Sequence, residues 1–300
     1  MGWLPRFACP GCRVEIPVDA EQSACGCCGR RYIQRGGIWR FLDGERLTAV
    51  EPFVRHYRAV RGQEGRRQLS IDYYRHLPSV PLEDPHAREW RIRRETYGHL
   101  LRQVLSQSRL PSTILDLGAG SGWLSHRMAA LGHLAVAVDI LDDEADGLGV
   151  VERYDAPVVA VQADFDALPF APQQFDTVIF NGSLHYAPDP YTTLARVQAL
   201  LTPGGTLVVM DSPMFASEGD GTAMVADAVR RFTNDLALQD HVTPGLGYLT
   251  FRALAASART LQMSARFVPS RGWLAWRVQR NLARLRLGRQ PAAFGLWVAR

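Results

Sequence analysis

Two pairs of cysteines near the amino terminus have the spacing of a metal site. Cys9 and Cys12 enclose one dipeptide, Cys25 and Cys28 enclose another, and twelve residues separate the two pairs. Two short turns of this kind can place four thiolates at the corners of a tetrahedron, the geometry that structural zinc prefers. Disulfides are the alternative, and they are disfavoured because we find no secretion signal. Cys27 is the odd thiol, which we interpret as a spectator that could replace a neighbour.

The cysteine segment is too short to hold itself together with a hydrophobic core. We place a zinc ribbon at residues 1–43, ending with the segment 38–42. Metal binding would supply much of the folding free energy of so small a unit. Four cysteines fill the coordination shell of zinc, so the predicted Zn2+ is structural.

A second group of residues suited to chemistry follows a short apolar run. Residues 113–117 predict a buried strand and residues 123–131 a helix, and a glycine-rich turn joins them. Glycines let the backbone pass close to a ligand, and the start of the helix offers free N–H groups. This strand, turn and helix predict a nucleotide-type site at the carboxyl edge of a parallel sheet.

Four later apolar runs predict further strands at 134–139, 158–162, 175–180 and 207–210. Asp139 ends the first of them, about 20 residues beyond the glycines, a position that suits a pair of ribose hydroxyls. Asp164 and Phe165 follow the second run, and Asn181 follows the third. An LTPGG turn leads into the fourth.

Residues 89–211 resemble the class I S-adenosylmethionine-dependent methyltransferases, especially the subgroup that includes ubiquinone C-methyltransferases. The resemblance implies that the glycines approach the methionine part of the cofactor, that Asp139 holds the ribose, and that Asp164 and Phe165 frame the adenine. An α/β domain without a cofactor is the alternative. The predicted cofactor-binding residues are Asp116, Gly118, Ala119, Gly120, Gly122, Asp139, Ile140, Asp164, Phe165 and Asn181.

Methyl transfer from a sulfonium needs positioning and at most one base. His185 lies in the loop after the strand 175–180, beside the expected methyl position, and is the predicted catalytic residue. It can take a proton from a hydroxyl or orient an acceptor, and a structural histidine is the alternative. The acidic run 142–146 is interpreted as a solvated loop close to the adenosine pocket.

Residues 44–83 are interpreted as a linker and cap, with a short helix at 51–60. In the resembled family such a cap closes over the cofactor, and Tyr73 and Tyr74 are candidates for contact with the substrate. Asp84 and Pro85 predict the start of a helix that runs to about residue 107.

The carboxyl-terminal third is expected to complete the acceptor pocket and the sheet. Tyr248, Phe251 and Arg252 are possible lining residues, and strands six and seven are predicted at 266–269 and 293–299 as an antiparallel hairpin. The helix predicted over 273–287 carries leucines on one face and arginines on another. It is interpreted as an amphipathic helix packed on the domain, or as a phosphate-binding, membrane-surface or nucleic-acid-binding helix.

We therefore predict an α/β fold with a Rossmann-like, seven-stranded class I methyltransferase sheet at 84–300 and a small amino-terminal zinc ribbon. A net charge of +4 is mild, 47% hydrophobic residues can bury a sizeable core, and no apolar run is long enough to predict a transmembrane segment. We expect a cytoplasmic enzyme with S-adenosyl-L-methionine and Zn2+. A small-molecule or biosynthetic-intermediate acceptor is expected. The ribbon resembles those of ribosomal-RNA guanine methyltransferases and of zinc-ribbon methyltransferase activators, so RNA is the alternative acceptor, and a non-catalytic cofactor- or partner-binding module is the third interpretation.

Overall fold

The computed structural model describes residues 3–19, 22–67, 70–235 and 242–300. The sequence also predicts a loop followed by a helix over 217–238 and a turn-rich loop over 241–248, and both segments lie partly outside the described residues. The strands are β1 (Val18–Asp19), β2 (Gln22–Ala24), β3 (Arg31–Arg35), β4 (Ile38–Arg40), β5 (Thr113–Leu117), β6 (Leu134–Asp139), β7 (Val158–Gln162), β8 (Phe175–Asn181), β9 (Leu201–Met210), β10 (Met214–Phe215), β11 (Leu249–Thr250), β12 (Ala265–Pro269) and β13 (Gly295–Ala299). The helices are α1 (Gly44–Gln63), α2 (Ile71–His76), α3 (Ala87–Gln103), α4 (Trp123–Ala130), α5 (Pro190–Gln198), α6 (Glu218–Asp235), α7 (Phe251–Thr260) and α8 (Leu274–Leu287).

Seven strands of the main sheet match the predicted methyltransferase core. They run in the order β7-β6-β5-β8-β9-β13-β12, with β5 to β9 parallel and β13 antiparallel to both of its neighbours. The central strands are almost wholly buried because helices cover both faces of a parallel sheet. Their carboxyl ends therefore meet at one edge, where the loops after β5, β6, β7 and β8 come together.

The main sheet continues beyond these seven strands into the segment predicted as a separate zinc ribbon. The cysteine segment adds β1 to β4 at the edge, so that eleven described strands form one sheet. β4 pairs in parallel with β7, and Trp39 lies opposite Val161. Trp39 is fully buried against Phe7 and Phe41. The spacing of the cysteines does not predict that β4 pairs with β7, a strand that begins 120 residues later.

Three predicted boundaries differ from the structure. The helix over 51–60 is one end of α1, which begins at Gly44 after Asp43, whose side chain accepts a hydrogen bond from the Arg46 N–H. The helix expected from Asp84 begins at Ala87, because Asp84 instead accepts from the His86 N–H in a turn. The LTPGG turn is a bulge inside β9, where the pairing with β8 shifts register.

The hairpin at the carboxyl terminus forms largely as predicted. β13 inserts between β9 and β12, and α8 precedes it. α8 buries none of its residues. None of the helices in the described ranges is long and apolar enough to cross a membrane.

Candidate functional site

The four predicted zinc ligands lie together at the amino-terminal edge of the sheet. The sulfur atoms of Cys9, Cys12, Cys25 and Cys28 are all within 4.8 Å of one another, whereas Cys27 is exposed and outside the cluster. Cys9 and Cys25 are buried. Four thiols gathered this closely are a donor set for a soft or borderline metal ion.

Each pair of cysteines is closed by the same backbone turn. The Arg13 N–H donates to the Cys9 carbonyl at 2.8 Å, and the Gly29 N–H donates to the Cys25 carbonyl at 2.9 Å. Arg13 and Gly29 both have positive φ angles, of 62° and 71°. The glycine after the second pair is favoured for this reason, and Arg13 adopts the same conformation without that freedom.

Within this cluster, the pKa of the Cys9 thiol is shifted in the direction that favours ionisation. Its sulfur lies 3.2 Å from the Tyr32 hydroxyl. Burial raises the pKa of Cys9, but hydrogen bonds from Tyr32 and from backbone N–H groups outweigh it and bring the pKa to about 6. A thiolate is the form that binds metal.

The glycine-rich turn bends sharply at the carboxyl end of β5. The N–H groups of Gly118 and Ala119 both donate to the Val138 carbonyl, at 2.8 and 3.0 Å. Gly118 has a φ of 72°, and a Cβ there would lie 2.3 Å from the Cβ of Ser183. Only glycine therefore allows β5 and the loop after β8 to approach each other here.

Asp139 at the end of β6 is tied to this turn. Its carboxylate accepts hydrogen bonds from the N–H of Gly120 at 2.7 Å and from the N–H of Leu141 at 2.8 Å. Burial raises the pKa of Asp139 to about 6, although these two bonds oppose the shift. The carboxylate retains lone pairs that can accept from a ligand.

A cavity of about 340 Å³ opens where these loops meet. Eight of the ten predicted cofactor-binding residues line it. They are Gly118, Ala119, Gly120, Asp139, Ile140, Asp164, Phe165 and Asn181. The Oδ1 atom of Asn181 is buried without a hydrogen-bond partner within the described part of the chain. Such an orphaned acceptor costs free energy unless a ligand donor satisfies it.

Asp116 and Gly122 do not line this cavity. Asp116 is buried beneath the turn, where its Oδ2 accepts from the Ser125 hydroxyl at 2.8 Å. Gly122 caps α4, and a Cβ there would lie 2.7 Å from a methyl of Val151. Both residues shape the turn from behind, and sequence spacing cannot separate that role from direct contact.

Helix α1, which lies within the segment predicted as linker and cap, forms a wall of the cavity. Its residues Ala49, Val50, Phe53, Val54, Tyr57 and Arg61 face the cavity. Arg46 pairs with Asp164 at 2.8 Å, and Arg58 pairs with Asp143 at 2.9 Å. The predicted linker is therefore a helix that covers the nucleotide-type site.

The interpretation of residues 142–146 as a solvated loop holds for Glu144, which is exposed, but is wrong for the three aspartates, which form ion pairs. Asp142 pairs with Arg40, Asp143 with Arg58 and Arg67, and Asp146 with Arg61. Their cationic partners lie about a hundred residues earlier, so no local pattern in the sequence links the two segments.

Both candidate tyrosines of the cap line the first cavity. Tyr74 is buried and its hydroxyl donates to the Ala145 carbonyl at 2.6 Å. Tyr73 packs edge-on against Tyr74. In contrast, the possible lining residues Tyr248, Phe251 and Arg252 border neither cavity. Tyr248 packs on Phe215 of β10, Phe251 packs on Phe267 of β12, and Arg252 is exposed.

A second cavity of about 460 Å³ adjoins the first. The two share Phe53, Tyr57, Arg93, Gly182 and Tyr186 among their walls. The rings of Phe53 and Tyr186 are 5.5 Å apart, and those of Tyr57 and Tyr186 are 6.2 Å apart. An aromatic partition thus stands at the junction of the two cavities.

His185 lines the second cavity and not the first. Its Nδ1 lies 3.2 Å from the Ser212 hydroxyl, and its ring stacks near Tyr186. Burial, reinforced by Arg93, lowers the pKa of His185 to about 3. The imidazole is therefore neutral at physiological pH and is a weak base.

Sequence and structure comparisons agree with this geometry. The methyltransferase-domain family matches residues 115–209. A ubiquinone biosynthesis O-methyltransferase of Xanthomonas campestris is 30% identical over 196 residues, covering 62% of this chain and 75% of that relative. The chain belongs to the S-adenosylmethionine-dependent methyltransferases. The family predicted from the glycine turn and the strand ends is confirmed.

Other relatives of this methyltransferase match over shorter stretches. An uncharacterized methyltransferase of Mycobacterium tuberculosis is 36% identical over 97 residues, which cover 32% of this chain. The matched part spans 49%, about half, of that relative's length.

The magnesium protoporphyrin IX methyltransferase of Synechocystis, solved with bound SAH, superposes with a TM-score of 0.52 at 15% identity. The superposition covers 83% of this chain and 98% of the Synechocystis protein, and at this identity it shows only that the two proteins share a fold.

Proposed function

We propose that this methyltransferase binds S-adenosylmethionine in the first cavity and transfers its methyl group to a small molecule in the second. The observation that carries the proposal is the junction of the two cavities at Gly182 and Tyr186. It lies at the carboxyl ends of the central strands, where ligands bind in sheets of this kind. When bound, the cofactor supplies a methyl group activated by a sulfonium.

The residues around the first cavity fit the parts of this cofactor. Asp139 would accept from the ribose hydroxyls with its remaining lone pairs, and Phe165 would pack on the adenine. The turn at Gly118 and Gly120 brings backbone close to the methionine part. The orphaned Oδ1 of Asn181 would accept a hydrogen bond from the ammonium group.

Zinc is the metal we propose for the cysteine cluster. Four thiolates complete its tetrahedral shell, leaving no open position for a substrate. The site is therefore structural. Arg30, beside the second cysteine pair, forms an ion pair of 3.3 Å with Asp43, the residue that caps α1. Metal binding would in this way also hold one end of the helix that covers the cofactor.

A small-molecule acceptor suits the second cavity better than RNA does. The cavity lies between α1, α3 and α6 and is walled by aromatic rings and ion pairs. The name of the Xanthomonas relative supports an oxygen acceptor. Local aromatic walls limit the size of a ligand and offer no extended basic groove of the kind that tracks a nucleic-acid backbone.

Helix α8 supports a further proposal about location. Leu274 and Leu285 are 73% and 79% exposed, and Val278 and Leu282 are half exposed on the same side. Arg277, Arg284 and Arg286 accompany them, and residues 274–287 contain no acid. We propose that α8 rests on an anionic membrane surface, where leucines enter the interface and arginines meet lipid phosphates.

The methyl-transfer proposal is tested with S-adenosylmethionine carrying a labelled methyl group. The protein is incubated separately with a cellular small-molecule extract and with total RNA. We expect label in the small-molecule fraction, and none when Asp139→Ala protein is used. Label in the RNA fraction would show that RNA is the acceptor and would overturn the proposed small-molecule acceptor. Cofactor binding without label in either fraction would support a non-catalytic module.

A further inference from the structure

A buried carboxylate lies directly after β9. It belongs to none of the sequence motifs, and the proposed cofactor site does not use it. Asp211 is 6% exposed and lines the second cavity together with His185. Its φ angle is 53°, a conformation uncommon for residues other than glycine. Its N–H donates to the Gly295 carbonyl at 3.2 Å, which fixes the backbone against β13.

One oxygen of the Asp211 carboxylate accepts a hydrogen bond from a described residue and the other does not. Oδ1 accepts from the Thr96 hydroxyl at 2.7 Å, and the Thr96 oxygen lies 2.7 Å from the Ser270 hydroxyl. Ser270 can therefore donate to Thr96, which leaves the Thr96 proton for Asp211. Oδ2 has no hydrogen-bond partner among residues 3–19, 22–67, 70–235 and 242–300. A buried oxygen of this kind is satisfied when a ligand donates to it.

The other charged groups of the second cavity neutralise one another or are paired outside it. Arg66 pairs with Glu64 and Glu89, Arg93 with Glu89, Arg231 with Glu64, and Arg61 with Asp146. Asp211 forms no ion pair with any described residue of this cavity. His185, Tyr57 and Tyr186, which also face the cavity, are neutral at pH 7.

Asp211 lies at the junction with the cofactor cavity. The Gly182 N–H donates to the Met210 carbonyl at 2.7 Å. A Cβ at Gly182 would lie 3.6 Å from the Asp211 carbonyl oxygen and 3.8 Å from an Arg93 nitrogen. Because Gly182 borders both cavities, an acceptor atom that meets the methyl group there lies close to the backbone of Asp211, a residue that also lines the second cavity.

Asp211 and His185, which both line the second cavity, differ in basicity. Burial raises the pKa of Asp211 to about 6, against the opposing effects of Arg93 and Thr96. His185, with a pKa of about 3, would hold a proton far less readily. A base works best when its pKa is close to the operating pH.

We propose that Asp211 receives the proton of a hydroxyl acceptor in the second cavity, with Thr96 as its positioning residue. This inference rests on the proposed function. The acceptor O–H bond breaks and its proton passes to Oδ2 of Asp211. The oxygen's electron pair forms the new bond to the methyl carbon, while the carbon–sulfur bond of the sulfonium methyl donor breaks and leaves its pair on sulfur.

The test measures calorimetric binding of catechol, a phenol that stays protonated between about pH 5 and pH 8, to protein saturated with S-adenosylhomocysteine. Loss of a hydrogen bond to a charged group weakens binding about tenfold. We expect Asp211→Asn to bind the probe about tenfold more weakly. The affinity of the wild type should rise as pH increases through about 6, and that rise should be absent from Asp211→Asn. Asp72→Asn, which changes an exposed acid on α2, serves as the matched control and should bind like the wild type.

Thr96 is tested by the pH profile of the same binding. Thr96→Val removes the bond to Oδ1, so the midpoint of the profile should move to higher pH, and Thr96→Ser should restore it. Infrared spectra provide a readout independent of the probe. Buried carboxylic-acid absorption should grow below about pH 6 in the wild type, and Asp211→Asn should lack only the part that Asp211 contributes, since Asp116 and Asp139 also take up protons in this range.

The outcomes separate the two proposals. Failure of the wild type to bind S-adenosylhomocysteine would overturn the proposed function. If S-adenosylhomocysteine binds normally to both proteins but catechol fails to bind the wild type, or binds Asp211→Asn as tightly and with the same pH profile, the assignment of Asp211 is overturned.

Discussion

Arg61 donates two hydrogen bonds to the carboxylate of Asp146, from Nε to Oδ2 at 2.7 Å and from Nη2 to Oδ1 at 2.8 Å. Arg61 belongs to α1, and Asp146 lies in the loop after β6, 85 residues later. Both side chains also border the first cavity. This ion pair fastens the covering helix to the loop that follows the predicted ribose-binding carboxylate.

Arg61→Gln should therefore destabilise the protein and weaken cofactor binding. It leaves the buried Asp146 carboxylate without its cation, and losses of this kind cost about 3 kcal/mol. Thermal unfolding measures the stability, and S-adenosylhomocysteine titration measures the binding. Arg55→Gln is the control, because Arg55 pairs with Glu51 in solvent and should contribute less than about 0.5 kcal/mol. Equal effects of the two substitutions would contradict this account.

Loss of the metal should also loosen the cofactor site. Cys9→Ser and Cys28→Ser should each abolish equimolar zinc content, lower the melting temperature by several degrees and weaken S-adenosylhomocysteine binding, because the ribbon leads directly into α1. Cys27→Ser, which changes the exposed thiol outside the cluster, should retain zinc. Metal analysis of the purified proteins checks this prediction, and undiminished zinc in the first two variants would refute it.

Asp116 should make the stability of the ligand-free protein depend on pH. Burial, with a contribution from Asp139 and against hydrogen bonds from Ser125, raises its pKa to about 7 from an unfolded value of 3.8. The folded state therefore binds the proton more tightly, so the stability gained from that proton is present below pH 3.8 and lost as pH rises through about 7.

Asp116→Asn removes this titration while keeping the shape of the side chain. Its free energy of unfolding, relative to the wild type, should rise by about 2 kcal/mol between pH 5 and pH 8. Denaturant titration at the two pH values measures the difference. The exposed substitution Asp72→Asn should show no such rise, and a constant difference for Asp116→Asn would show that the carboxyl does not titrate in this range.

The membrane proposal for α8 predicts binding that depends on both lipid charge and leucine exposure. Sedimentation with phosphatidylglycerol vesicles should carry the wild type down, whereas phosphatidylcholine vesicles should leave it in solution. A double substitution, Leu274→Ser with Leu285→Ser, should reduce binding at least tenfold. Leu82→Ser, at a leucine that is 86% exposed outside α8, should not. Binding to RNA in place of vesicles would overturn the proposal.

The sequence predicted the parts of the site that local patterns encode. β5, β6 and β7 were recognisable because each is a short apolar run, and the strand–turn–helix at Gly118 follows from glycine spacing. The cysteine pairs are equally local, since two turns of four residues can assemble a cluster. In each case the residues that decide the structure lie within about twenty positions of one another.

The rest of the site depends on pairings between distant segments. α1 carries a weak apolar pattern and a proline at position 52, so its role as a wall becomes visible only when its arginines meet the acids at 142–146. Asp211 acquires its significance from Thr96 on α3 and from the insertion of β13 beside β9. No local spacing records those contacts.

The central claim is that the first cavity binds the adenosyl cofactor through Asp139, and calorimetry with S-adenosylhomocysteine tests it most directly. We predict that the wild type binds in about the micromolar range, and that Asp139→Asn binds at least tenfold more weakly because the ribose loses a charged acceptor. Affinity of the wild type should fall as pH drops below about 6, where Asp139 takes up a proton. Asp72→Asn, which changes an exposed acid on α2, should bind normally. Absence of binding to the wild type, or equal affinity of Asp139→Asn at every pH, would contradict the claim.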